Sequence, residues 1–97
     1  MRFRFHPDAE IEFMEAIDYY ERIDSGLGLD FAIDVHEAIS RAYTYSNSWA
    51  RIQGDIRRSL VDRFPFGILY EKKDGMLYIL AVMHLHREPN YCVDRLI

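Results

Sequence analysis

Cysteine is nearly absent from the 97-residue chain, which carries Cys92 alone. No internal disulfide can form, so stability has to come from packing, and a reducing, cytoplasmic setting fits. Long apolar runs are missing as well. The longest, Met76 to Met83, is strand-sized and far below the ~18 residues that span a bilayer, so no membrane association is expected. Met1 to His6 alternates Arg with Phe and then meets Pro7; it lacks the apolar segment of a secretory signal. A basic excess is also lacking. The formal net charge is −4, which counts against a protein held to nucleic acid by phosphate contacts alone. There is no phosphate loop, dinucleotide fingerprint, zinc-finger spacing, internal repeat or linker.

What remains is rich in core material. Apolar residues make up 49% of the chain and charged ones 29%, with seven Tyr and six Phe. The length suits one domain, residues 1–97, and large aromatic side chains help so small a core. Charge is unevenly placed. Acids dominate from Asp8 to Glu37, whereas Arg51, Arg57, Arg58 and Arg63 outweigh Asp55 and Asp62 in the segment that follows.

Residues 2–6 alternate as a short strand with one greasy face. Asp8 is a candidate N-cap after Pro7. Ala9, Phe13, Ala16, Ile17, Tyr20 and Ile23 recur at helical spacing over residues 9–24, with Tyr20 facing the sheet and Tyr19 outward. Ser25-Gly26 reads as a stop. A second helix, residues 28–46, carries Phe31, Val35, Ala38, Ile39, Ala42 and Tyr45. The short connection predicts an antiparallel helical hairpin. Residues 49–54 read as irregular, and residues 56–63 as a strand of mixed pattern. Phe66, Ile68 and Tyr70 alternate, and Lys73-Asp74-Gly75 signals a hairpin turn. Leu77 to Met83 is apolar throughout, as in a central strand covered on both faces. Pro89 precedes a tail that reads as helical. The order is β-α-α-β-β-β, an α+β fold with the helical hairpin packed on a mainly antiparallel twisted sheet.

Several stretches in this order resemble the RelE/ParE toxin superfamily. Ala16-Ile17-Asp18-Tyr19-Tyr20-Glu21 is similar to the family's first helix, and Gly28-Leu29-Asp30-Phe31 with Val35 and Ile39 to the second. Gly54 with Ile56-Arg57, then Phe64-Pro65-Phe66-Gly67-Ile68-Leu69-Tyr70, resembles a run of the ParE-like members. Ile79-Leu80-Ala81-Val82-Met83-His84 with Arg87 and Pro89 resembles the last strand and its exit. The resemblance implies the toxin of a type II toxin–antitoxin, or plasmid stabilisation, system, held by the helical C-terminal segment of a cognate antitoxin. It implies no cofactor and no metal. RelE-like members cleave mRNA on the ribosome, and ParE-like members inhibit DNA gyrase.

Metal-free RNA cleavage needs a base for the 2′-hydroxyl, cations for the phosphate oxygens and an acid for the leaving group. Carried over from Tyr70 and Val82, the family's strand arginine falls on Gly67 and a strand lysine on Leu60. A neighbouring cation falls on Arg58, the exit arginine on Leu85 with Arg87 nearby, and the C-terminal tyrosine near Tyr91. One lost stabilising contact costs about 2.7–4 kcal/mol in the transition state, so the pattern favours the ParE-like branch. If the chain is a nuclease, Arg58 and Arg87 would hold phosphate, His84 or His86 would move the proton, and Tyr91 would stack or donate. On the competing reading, Arg57, Arg58 and Arg63 form a solvated sheet face that pairs with the acidic helices or the antitoxin. Leu27, Leu29, Trp49 and Leu85 either dock that partner or enter the core. The His84/His86 spacing suits a chelate, but structural roles are expected for both. A non-toxic domain of the same fold is the third reading.

Overall fold

The computed structural model describes residues 1–87 and 95. The expected helical tail, and with it Tyr91 and Cys92, lies outside the described residues. The chain runs β1 (Phe3–Phe5), α1 (Pro7–Ile23), α2 (Leu27–Thr44), β2 (Arg51–Gln53), β3 (Ile56–Leu60), β4 (Phe66–Lys73) and β5 (Met76–His84). One mixed sheet has the order β1-β5-β4-β3-β2. All its pairings are antiparallel except β1 against β5, in which Phe3, Arg4 and Phe5 face Leu77, Tyr78 and Ile79.

Local chemistry explains most boundaries. Pro7 occupies the first helical position, where a missing N–H costs nothing. The N-cap of α1 is therefore His6, not Asp8, and its Nδ1 accepts from the Asp8 N–H at 3.1 Å. Asp8 instead lies in the first turn, where its charge favours the positive helix end. Gly26 takes φ +90° between the helices, a conformation glycine adopts without a Cβ penalty. The Glu21 carboxylate accepts from the Gly26 and Gly28 N–H groups at 3.1 Å. It thereby caps α2 from α1 and closes the hairpin. Asp74 and Gly75 have φ of 53° and 75° between β4 and β5, the two-residue turn that matches strand twist.

The helices cover one face of the sheet. Ala9, Phe31, Val35, Ala38, Ile39 and Ala42 pack on Ile68, Tyr70, Leu77, Ile79 and Val82. Tyr20 joins an aromatic cluster, its ring 5.2 Å from Phe31 and 4.8 Å from Phe64; Tyr19 is exposed. On the outer face, Ile56, Leu69, Leu80, Ala81 and Met83 form a second buried cluster with Ile52 and Tyr78 against it. β5 is thus covered on both sides, which accounts for its unbroken apolar run. Two stripe positions depart from expectation. Ile23, the last residue of α1, is 58% exposed, and Tyr45, 61% exposed, is the C-cap of α2 with non-helical angles that break the stripe's phase.

Two differences bear on the site. Residues 51–53 are not irregular but form the edge strand β2, which pairs with β3. The strand expected to reach Arg63 stops at Leu60. Arg63 instead takes φ +65° and its guanidinium meets buried Asp34 on α2, with Nε–Oδ2 at 2.7 Å and Nη2–Oδ1 at 2.9 Å. A further clamp joins α1 to β5. Arg95 donates to the Leu80 carbonyl at 3.0 Å and to Glu12 at 2.9 Å, while Glu12 accepts from the Val82 N–H. These side chains satisfy β5 just past the end of its pairing with β1.

Candidate functional site

Strand register decides which candidates share a face. Arg58 lies opposite Leu69 and Leu60 opposite Gly67, and Gly67 lies opposite Met83. Because side chains alternate along a strand, Arg58, Leu60, Gly67 and Met83 share the outer face. A Cβ built on Gly67 would stand 3.0 Å from Arg58 Cγ and Cδ and 3.4 Å from Leu85 Cδ2. The stem of Arg58 therefore lies across β4 in the space that glycine leaves, with Leu85 beside it.

Leu60, Arg58 and Gly67, onto which the resemblance carries catalytic cations, lie together on this face, with Leu85 beside Gly67. Three of the four carry no charge. Leu60 and Leu85 are 43% and 38% exposed, so an apolar surface rims a half-buried arginine. Among the described residues Arg58 has no ion pair.

Of the other proposed catalytic groups, His84 is not brought to this face, and Tyr91 lies outside the described residues. His84 pairs with Phe66 across β4 and β5, their rings 5.4 Å apart. Phe66 in turn meets Phe31 of α2 at 4.9 Å, so His84 is on the helix side, opposite Arg58. The His84 and His86 rings stack at 5.0 Å, and His84 Nδ1 accepts from the His86 N–H. That bond assigns the proton of a neutral His84 to Nε2. Arg87 is exposed in the turn after β5, its N–H bonded to the His84 carbonyl. Among the described residues no group of three or more His, Cys, Asp or Glu side chains is placed to hold a metal.

The arginines expected on one solvated sheet face are dispersed. Arg58 is on the outer face. Arg57 is on the helix side and donates to the Trp49 carbonyl at 2.7 Å. Arg63 has left the strand, and the bond it makes holds the Asp34 carboxyl below its ordinary range despite the opposing effect of burial. Arg63 thus does pair with a helix acid, while Arg57 and Arg58 do not. Trp49 and Leu27 are half-buried. Trp49 packs against the helix-side core, and its buried Nε1–H has no acceptor.

A groove unforeseen from the sequence opens where β1 meets the helices. It has a volume of about 280 Å³ and is lined by Phe3, Phe5, Phe13, Ala32, Val35, His36 and Ile39. Phe5 and Phe13 stack at 5.4 Å along it. The alternation of Phe3 and Phe5 signals a greasy strand face, yet does not show that the helices leave part of that face open.

Comparison with known proteins agrees with this architecture. No protein-family model and no curated protein sequence matches the chain. Among solved structures it matches a chain titled "Chromosomal ParDE TA system from P. aeruginosa", with a TM-score of 0.70 and 19% identity over 87% of this chain and 95% of that one. The chain has the RelE/ParE-like fold. No helix among the described residues is long and apolar enough to cross a membrane.

Proposed function

We propose that the chain is the toxin of a type II toxin–antitoxin pair and acts by binding its target, as ParE-like toxins do, with DNA gyrase the target to test first. The observation that carries this reading is the composition of the outer face. Where RNA cleavage needs several cations around a phosphate, Leu60, Gly67 and Leu85 offer apolar contact and Arg58 a single charge. Such a surface suits protein recognition. The cytoplasm is its working compartment and plasmid stabilisation a fitting biological role.

The aromatic groove beside β1 supports a helical antitoxin segment as partner. An amphipathic helix inserts apolar anchors spaced i, i+3, i+4, i+7 into such grooves, and Phe3, Phe5 and Phe13 give them aromatic walls. Leu85 and Arg63 are the exposed candidates for target contact; Arg63 is also paired with Asp34, Arg57 bonds the Trp49 carbonyl, and Leu27 and Trp49 are half-buried.

Induced expression tests the proposal. Growth should stop and recover when a short polypeptide encoded next to the toxin gene is co-expressed, and purified protein should inhibit gyrase supercoiling. Leu85→Asp should relieve inhibition and leave the fold intact. Cleaved mRNA on ribosomes with normal supercoiling would point to the RelE-like alternative. Unaffected growth with neither response would leave a non-toxic domain of this fold.

A further inference from the structure

A second polar site lies on the helix side of the sheet, away from the Arg58 surface. Arg51 and Arg57 are directly opposed across β2 and β3, and Arg57 is opposed to Tyr70 across β3 and β4. With Lys72, Ser46, Asn47 and Asp55 they line a cleft of about 120 Å³ just beyond the end of α2. Like charges directly opposite each other destabilise a sheet, so an Arg51–Arg57 pair with Lys72 nearby calls for a compensating anion.

Intramolecular partners satisfy only part of this charge. Arg57 Nη1 donates to the Trp49 carbonyl at 2.7 Å and Lys72 Nζ to the Tyr43 carbonyl at 3.1 Å. Among the described residues neither of them, nor Arg51, is in an ion pair, and Arg51 makes no side-chain hydrogen bond. Asp55 is the one carboxylate on the lining and offsets one of the three positive charges. Arg57 and Lys72 each use one donor in their carbonyl bonds, and Lys72 Nζ also lies 4.4 Å from the centre of the Tyr43 ring, so further N–H donors of Arg57, Arg51 and Lys72 are left for a guest. Tyr70 is a wall of fixed position, since its hydroxyl donates to the Ser46 carbonyl at 2.8 Å, and burial pushes its ionisation upward so that it stays neutral.

The geometry points to an oxyanion site for a single phosphate group, either inorganic phosphate or the terminal phosphate of a small monoester. Arginine binds tetrahedral oxyanions through paired N–H groups, and such charge-assisted bonds are about twice as strong as neutral ones. The cleft is well below the roughly 300 Å³ that encloses a drug-sized ligand. A nucleoside or sugar would therefore project into solvent past Arg51 and Asp55. This site is independent of the toxin reading.

Amide NMR titration of the full chain with inorganic phosphate tests it, at constant ionic strength set by sodium chloride. Saturable shifts confined to Ser46, Asn47, Asp55 and Tyr70, with millimolar affinity, are expected. Arg51→Gln and Lys72→Gln should each weaken binding about tenfold, the effect of one bond to a charged group, and Arg51→Gln should not lower the melting temperature, since it removes a like charge facing Arg57. Adenosine monophosphate distinguishes the sources: equal affinity marks inorganic phosphate as the guest, and tighter binding a monoester. Unsaturable shifts spread over all basic residues, or an affinity unchanged in Arg51→Gln, would overturn the proposal.

Discussion

Two glycine-to-alanine substitutions should separate the close approaches that hold the fold from the one that shapes the outer face. At Gly28 an added Cβ would meet the Ile17 carbonyl oxygen at 2.7 Å and Glu21 Cβ and Oε1 at 3.0 Å. The first of these is backbone of α1 and cannot rotate away. Alanine gains up to about 1 kcal/mol of helix propensity, whereas overpacking of this kind costs about 1–3 kcal/mol. Displacing Glu21 from the Gly26 and Gly28 N–H groups adds to the loss. The net expectation is a destabilisation of about 1–3 kcal/mol, read in urea as a midpoint lower by on the order of 1 M. At Gly67 the three atoms nearest the same Cβ are Arg58 Cγ and Cδ and Leu85 Cδ2. Those are flexible side-chain atoms that can move aside, and alanine in a strand recovers about 0.5–1 kcal/mol over glycine. Gly67→Ala should therefore keep full stability while lifting Arg58 off the sheet and weakening target inhibition. Equal midpoints for the two variants, or a more stable Gly28→Ala, would refute the close packing of α1 on the start of α2.

Three further outcomes follow from the same contacts. The Asp34 carboxyl is held low by its bond from Arg63, so its contribution to stability is present above the unfolded aspartate pKa and lost as pH falls through the lower native one. Asp34→Asn should flatten the fall in melting temperature below roughly pH 4. Tyr70→Phe removes the hydroxyl bond to the Ser46 carbonyl; denaturation should show a loss of about 1 kcal/mol, and alkaline absorbance titration should lose a late-ionising phenol. Arg95→Met leaves largely buried Glu12 without that partner, an expected cost of about 3 kcal/mol. A double-mutant cycle with Glu12→Leu should give a combined loss smaller than the sum.

Much of this architecture is legible in the residues because local and global signals agree there. The unbroken run from Leu77 to Met83 marks the doubly covered strand, Asp74-Gly75 the hairpin, and Gly26 the break between helices. The family resemblance singles out Arg58, Leu60, Gly67 and Leu85 one at a time, and only the register of β3 and β4 shows Arg58, Leu60 and Gly67 on one face. Other features leave no periodic trace. β2 is only three residues long, too short to alternate visibly, so Arg51 cannot be placed beside Arg57 and the cation cleft goes unseen. The pairing of β1 with β5 joins opposite ends of the chain. Nothing in the sequence marks Asp34 as buried, because its partner Arg63 is nearly thirty residues away and reaches it through a left-handed conformation that few arginines take. The separation of His84 from Arg58 rests on the parity of β4 between Phe66 and Leu69, which requires the register.

Incubating the purified protein with ribosomes carrying a defined mRNA, and reading cleavage by primer extension, tests the central claim most directly. Intact message at a protein concentration that blocks gyrase supercoiling is the expected result, because the outer face presents leucines where a nuclease needs cations. Message cut at defined positions, with cutting abolished in Arg58→Ala, would show that this face does RNA chemistry after all.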